Sequence, residues 1–374
     1  MAGRARITVA SDVSHGGYDG LEDVGIAHIT VPGLQSRLNI THLWRGWCGL
    51  RRLLRDSDAD IIWLHARLPV MLARIMLVLR LWRPRQGCTV AITYHGLPFG
   101  PGHPPARARV SRRMESVLLG LCPPLDLVFL TAGQAARMTE ALGRLRMARH
   151  RVHVLPNSSD LGTFQSKRPR TADDSAPWNL VMTGRCGYQK NYPMALRLFA
   201  HLPETVFLTL CGSGTESAAF RAQAAAILSP EALARVRFAG PVRDVRPILA
   251  DADAYLLTSR YEGLPIGALE AFEAGLPLVL SRYDGVEDLV APHPLALVLD
   301  LKDLPADAAR ILDLLHDART GGDGIRRNIQ QAWQEHWSFQ AFTGAAQRLF
   351  DQLLESVKRS GGRPGRTQPP AIRR

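Results

Sequence analysis

The chain has 374 residues, 46% of them hydrophobic, which calls for two domains of ordinary size; five scattered cysteines with no Cys-x-x-Cys pair exclude a zinc cluster or disulfide framework and point to a reducing cytosol. The formal charge of +12 is uneven, because residues 1–160 carry 21 Lys and Arg against 11 Asp and Glu, the stretch from Lys358 onward adds six cations and no acid, and the middle is left at −4. That asymmetry argues against nucleic acid gripped by the whole chain and for one basic lobe facing something anionic, such as a membrane surface or a lipid diphosphate.

An apolar run from Ile7 to Val13 opens the chain as a strand, and Ser14-His15-Gly16-Gly17 makes a turn able to approach a phosphate closely. A second strand, Gly25 to Pro32, follows with no room for the crossover helix that parallel neighbours normally need. A helix over Thr41 to Arg55 leads into the strand Ala59 to His65. Leu68 to Trp82 is apolar nearly all round, with Arg74 and Arg80 on different faces, and reads as a core helix. The strand Thr89 to Tyr94 then delivers His95-Gly96 at its carboxyl end. On a helical wheel, residues 106–121 set Arg109, Arg112 and Arg113 on one side and Val110, Met114, Val117, Leu118 and Leu121 on the other. This basic amphipathic helix fits either a surface helix with its apolar face on the sheet or a contact with an anionic membrane. The strand Leu127 to Thr131, a helix over Gln134 to Leu145 and the strand Arg151 to Leu155 complete a first lobe, residues 1–165.

Residues 166–177 are polar and Pro-containing, as a linker would be. In a second lobe, 178–338, strands at Asn179 to Thr183, Val206 to Cys211 and Arg237 to Ala239 alternate with helices around Met194 to His201, Glu216 to Ile227 and Val245 to Ala250. From Ala254 to Arg282 the chain reads strand, Gly/Pro-broken loop, helix closed by Gly275 and Pro277, strand. The alternation predicts an α/β protein with a doubly wound parallel sheet in each lobe. An amphipathic helix, 339–357, is expected to cross back to the first lobe, and the Gly/Pro/Arg tail, 358–374, cannot bury a core. No run reaches the ~18 apolar residues of a spanning helix and the start, MAGRARITVASD, lacks an apolar signal core. The expectation is a cytoplasmic protein, at most peripheral on the membrane.

Parallel strands share their carboxyl edge, so the loops that follow them meet in one crevice. Glu262 sits on such a loop and Glu270 in the helix after it, with the amides of Gly263 and Leu264 between them as anion donors. The loop Gly184-Arg185-Cys186-Gly187-Tyr188-Gln189-Lys190-Asn191 adds the planar fork of Arg185 and the mobile point charge of Lys190. Cys211-Gly212-Ser213-Gly214 ends the next strand, and His95 faces the same cleft if the lobes oppose their carboxyl edges. Carboxylates and cations beside a helix terminus suit a polyhydroxylated, phosphorylated ligand such as a nucleotide sugar. The two Asp-Ala-Asp triplets, at 58–60 and 251–253, precede apolar strands on the far edge and read as turns, so no metal site is expected.

GRCGYQKN, the CGSG turn, FAGPVRDV and YEGLPIGALEAFEAGLPLVLS resemble the carboxyl-terminal half of the family 4 glycosyltransferases of the GT-B fold. YEGLPIGALE matches that family's E-x7-E motif at Glu262 and Glu270. The resemblance covers about residues 179–290 and is thinner in the first lobe, through ITYHG and VLPNSSD. It implies two Rossmann-like domains facing a cleft, and transfer of a sugar from a nucleotide-sugar donor to a glycan or lipid-linked acceptor in cell-surface polysaccharide synthesis. Anomeric configuration would be retained, with no metal or other cofactor. By resemblance, Arg185 and Lys190 would bind the donor diphosphate, Glu270 the ribose, and Glu262 with Gly263 and Leu264 the donor sugar. Gly184 and Gly212 would line the donor site, His95 would lie beside the reacting sugar, and Gly16 and Gly17 near the diphosphate or acceptor. One departure is that Tyr18 to Val24 is too short for the family's long first helix, so the acceptor side is expected to be reshaped. Two other readings remain, a sugar-nucleotide epimerase, which would need acid/base carboxylates in the first lobe, and a non-catalytic nucleotide-sugar binder.

Overall fold

In the computed structural model, which describes residues 5–12, 18, 20–35, 39–162 and 176–359, the strands of every sheet run parallel. The first part of the chain contains β1 (Thr8–Ser11), β2 (Ala27–Thr30), α1 (Ile40–Asp56), β3 (Ile61–Leu64), α2 (Arg67–Val78), β4 (Thr89–Tyr94), α3 (Pro105–Leu121), β5 (Asp126–Phe129), α4 (Ala132–Leu142), α5 (Arg144–Met147) and β6 (Arg151–Val154). The second contains β7 (Trp178–Thr183), α6 (Tyr192–Phe199), β8 (Val206–Cys211), α7 (Ala218–Ile227), α8 (Pro230–Ala234), β9 (Val236–Gly240), α9 (Arg246–Ala250), β10 (Ala254–Leu257), α10 (Ile266–Glu273), β11 (Leu278–Ser281), α11 (Val286–Val290), β12 (Ala296–Leu299), α12 (Leu304–His336) and α13 (Phe339–Arg359).

Strand order in the six-stranded sheet is β12-β11-β10-β7-β8-β9. The chain builds outward from β7 in one direction and then returns to build outward from β10 in the other. The crevice therefore opens between β7 and β10, where the order reverses. All four residues of β10 and of β11 are buried, as strands covered by helices on both faces must be. The smaller sheet, β3-β4-β5-β6, follows the same logic around a fully buried β4. From the second lobe the chain returns through α13, whose Leu349 and Leu353 pack on Ala91 and Val128 of β4 and β5. Gln352 reaches His153 at 3.0 Å in the same contact.

The missing crossover at the start has a structural answer. β1 and β2 pair in parallel, Thr8 with Ala27 through Ser11 with Thr30, but as a two-stranded sheet separate from β3–β6. Between them the described residues hold a single 3-10 turn, Glu22–Val24, rather than an α-helix. Gly16 and Gly17 lie outside the described residues, as do most of the expected linker and the chain from residue 360 onward.

The wheel reading of α3 needs correction. Val110, Val117 and Leu121 are 67%, 55% and 62% exposed, whereas the buried residues of the helix are Glu115, Leu118 and Leu119. A buried ion pair explains the rotation, because Arg74 of α2, 2% exposed, holds Glu115 in a two-pronged grip at 2.6 and 2.8 Å. Tyr94 donates to the same carboxylate at 2.9 Å. Turning Glu115 inward carries the Val110-Val117-Leu121 stripe out to solvent beside Arg109 and Arg113. Among the described residues, no helix is long and apolar enough to cross a membrane.

Candidate active site

The loops after β7, β8 and β10, the first turn of α10 and the end of β4 enclose a cleft of about 610 Å³. It is lined by His95, Gly184, Arg185, Lys190, Gly212, Glu262, Gly263, Leu264 and Glu270, so all the described residues singled out in the sequence converge on it. Backbone-on-backbone contacts make that convergence possible. A Cβ on Gly212 would run into the Gly184 carbonyl, and one on Gly263 into the carbonyl of His95. Gly263 is thus one of the places where the two lobes touch, as are Gly133 on Asp288 and Gly102 on Tyr188. Leu264 is buried, and its carbonyl accepts a 2.8 Å hydrogen bond from Asn157 Nδ2 across the same junction.

The two glutamates have opposite environments. Glu262 is held on three sides, with Lys190 Nζ at 2.8 Å, Ser259 Oγ donating at 2.6 Å and Gln189 Nε2 donating at 3.0 Å. Lys190 is therefore not the mobile point charge expected from its loop position but is paired with Glu262. The two loops are further tied by the Arg260 amide, which donates to the Gln189 carbonyl at 2.8 Å. Glu270 instead has no hydrogen-bond partner for its carboxylate among the described residues. Burial, and secondarily the nearby Glu273, push its pKa up from 4.5 to about 6. Above it, α10 follows Pro265 without a side-chain cap, and Ile266 and Gly267 line the cleft, so the positive end of the helix meets it there. Arg185 is exposed on the opposite wall and unpaired among the described residues.

His95 has a neighbour that the sequence reading passed over. His65 Nδ1 lies 3.3 Å from His95 Nε2, because β3 and β4 are adjacent and each is followed directly by a histidine. His95 lines the cleft, and the protein packed around both rings disfavours the cation. The pKa of His95 falls below its ordinary value, and that of His65 falls to about 4 with His95 as the second cause. The pair is neutral at pH 7. Gln189 and Ser259 were also missed, as was Arg243, which lines the cleft from the loop after β9. Gln189 and Arg243 lie inside the quoted GRCGYQKN and FAGPVRDV segments; Ser259 carried no signal of its own. The Asp-Ala-Asp triplets stay away from the cleft. Asp60 pairs with Arg85, Asp58 with Arg6, and Asp253 accepts from the Asn179 amide at 2.7 Å.

Comparison with known proteins agrees along most of the chain. The model described as Glycosyltransferase Family 4 matches residues 5–162, and the one described as Glycosyl transferases group 1 matches residues 163–334. The glycogen synthase of Mycobacterium tuberculosis is 29% identical over 216 residues, 56% of this chain and 50% of that protein. The lipopolysaccharide core biosynthesis glycosyltransferase LpsE of Rhizobium meliloti is 29% identical over 231 residues, 62% of this chain and 64% of its own length. The matches thus span only half to under two thirds of those relatives. Among solved structures, sucrose-phosphate synthase from Thermosynechococcus elongatus superposes with a TM-score of 0.74 at 17% identity, covering 94% of this chain and 100% of that one. Anabaena HepE in complex with UDP-glucose gives 0.68 at 15% identity, covering 95% and 92%. These likenesses show the fold, the two-lobed parallel-sheet architecture of GT-B.

Proposed function

The chain belongs to the family 4 glycosyltransferases of the GT-B fold, and on that premise we propose that it moves a sugar from a nucleotide-sugar donor to a glycan or lipid-linked acceptor, retaining anomeric configuration and without a metal ion. The observation that carries this reading is the meeting of an unpaired, half-buried Glu270 with the uncapped start of α10 and the cations Arg185 and Lys190 in one cleft. Glu270 accepts the ribose hydroxyls, which supply the hydrogen bonds its carboxylate lacks. The diphosphate lies against the first amides of α10, where the unpaired Arg185, helped by the ammonium donors that Lys190 has left beside its pair with Glu262, neutralises the charge that grows as the bond from the sugar to the phosphate oxygen breaks. That electrostatic work on the leaving group is the role a metal ion would otherwise fill.

Glu262, held by Lys190, Ser259 and Gln189, serves as a scaffold for the sugar side rather than as a free nucleophile. The acceptor oxygen forms the new bond at the anomeric carbon, and its proton leaves with the diphosphate. His95, neutral and backed by His65, is placed to hydrogen-bond the reacting sugar without adding charge. An epimerase would need carboxylates poised in the first lobe, and Glu115, beside the cleft, is locked to Arg74. Two relatives' names, glycogen synthase and lipopolysaccharide core glycosyltransferase, support a polysaccharide or lipopolysaccharide setting. The exposed Val110-Val117-Leu121 stripe beside Arg109 and Arg113 supports contact with an anionic membrane surface. A thermal-shift screen of UDP-, GDP- and ADP-sugars in EDTA tests the donor assignment, since a bound ligand raises stability by mass action. One base should raise the melting temperature specifically; no response to any of them would refute it.

A further inference from the structure

Behind the donor cleft a second cavity of about 220 Å³ opens into the first lobe, roughly a third of the cleft's volume. The two share His95, Gln189, Glu262 and Gly263, so they meet where the donor sugar would lie. The far wall is the start of α2, from Ala66 to Arg74, together with Glu115.

The charges on this wall do not balance. Four charged side chains line the cavity, Arg67, Arg74, Glu115 and Glu262. Arg74 and Glu115 cancel each other in the two-pronged pair already described, and Glu262 is cancelled by Lys190 at 2.8 Å. Arg67 is left over. It lines the cavity with its side chain exposed, and it makes no hydrogen bond or ion pair among the described residues. Arg107, in the first turn of α3, adds a second positive charge close by. The neighbouring His103 brings no negative charge. His103 stacks on Tyr261 at 3.8 Å, and its Nε2 lies 3.1 Å from the Leu97 carbonyl, with its pKa lowered by burial and by both arginines.

An unpaired guanidinium on a cavity whose other charges cancel leaves the cavity net positive, and a ligand anion can form with it the two-pronged pair that no protein carboxylate supplies. We propose that this cavity is an acceptor pocket that reads an anionic group, phosphate or carboxylate, through Arg67 with support from Arg107. This rests on the glycosyltransferase reading and deepens it: the acceptor is a charged one, a phosphorylated or uronic-acid-bearing sugar or a lipid-linked phosphate. With the anion on Arg67, an acceptor hydroxyl is left at the mouth of the cavity, beside His95 and facing the donor sugar.

The test is isothermal titration of the protein saturated with whichever nucleoside diphosphate stabilises it most, so that the diphosphate site is closed to other anions. Glucose 6-phosphate, glucuronate and methyl glucoside are titrated into the wild type and into the Arg67→Ala, Arg67→Lys and Arg107→Ala variants. At least one anionic probe should bind the wild type well above the neutral glycoside, and Arg67→Ala should weaken it by about tenfold or more. Arg67→Lys, which keeps the charge and loses the fork, should fall between, and Arg107→Ala should lose less than Arg67→Ala. Preference for glucose 6-phosphate identifies a phosphate acceptor, and preference for glucuronate a uronic acid. Equal anion binding by the wild type and Arg67→Ala, or no anion binding above methyl glucoside, overturns the proposal. If no nucleoside diphosphate binds, the donor reading fails by itself, and the same Arg67 comparison is then read in the free protein.

Discussion

Replacing Glu270 with glutamine should make the free protein more stable and a worse nucleotide binder. The carboxyl has its pKa raised from 4.5 to about 6 by burial, and at about 1.4 kcal/mol per pH unit its ionised form costs the fold about 2 kcal/mol. The sign follows from the two states. Below pH 4.5 the group is protonated both folded and unfolded, and the cost is absent. Between 4.5 and 6 the unfolded chain ionises first and gains relative stability, and above 6 the folded protein carries the full cost. Glu270→Gln is neutral throughout, so its advantage over the wild type should grow from near zero at pH 4.5 to about 2 kcal/mol at pH 7.5. Paired thermal or urea melts at the two pH values measure it. In the same protein the affinity for the preferred nucleoside diphosphate should fall by about tenfold, because a charged acceptor on the ribose becomes a neutral one. A variant no more stable than the wild type at pH 7.5, or one that binds nucleotide equally well, would refute the assignment of Glu270 as an unsatisfied anchor.

Three other outcomes are expected. Since donor binding needs Glu270 ionised, kcat/KM for the donor should drop as the pH falls through about 6; this acid limb should vanish in Glu270→Gln, and its persistence there would assign it elsewhere. Glu115→Ala should cost about 3–5 kcal/mol in urea unfolding by stranding the buried Arg74, whereas the double change Arg74→Met with Glu115→Leu should cost far less. Equal losses in the two proteins would mean that the pair does not act as a unit. Finally, Val117→Asp with Leu121→Asp should reduce flotation with anionic vesicles, and binding equal to the wild type would rule out this stripe as the membrane contact.

The parts of the molecule legible in the sequence are those set by local chemistry. Buried parallel strands read as continuous apolar runs, so β4 and β8 were placed at their observed bounds. The Gly/Pro-broken loop between β10 and α10 announced both glutamates. What escaped depends on contacts between distant segments. The Lys190–Glu262 pair needs the β7 and β10 loops side by side, and the His65–His95 pair needs β3 next to β4. The rotation of α3 could not be read from its own wheel, because it is set by an arginine 41 residues away on α2. α12 went unread for a local reason. Glycines at 321, 322 and 324 interrupt its helical pattern, and Gly322 does leave helical geometry at φ 51°. The unusual start, two strands with no helix between them, was legible, but its resolution as a separate two-stranded sheet was not.

The most direct test of the function is sugar transfer itself, with labelled UDP-, GDP- and ADP-sugars in the presence of EDTA and NMR of the anomeric proton of the product. The wild type should transfer from one of these donors without metal and with the donor's configuration retained. Arg185→Ala should mainly lower kcat, and Glu270→Ala should mainly raise the donor KM. Strict dependence on a divalent metal, an inverted product, or wild-type kinetics in both variants would contradict the proposed mechanism.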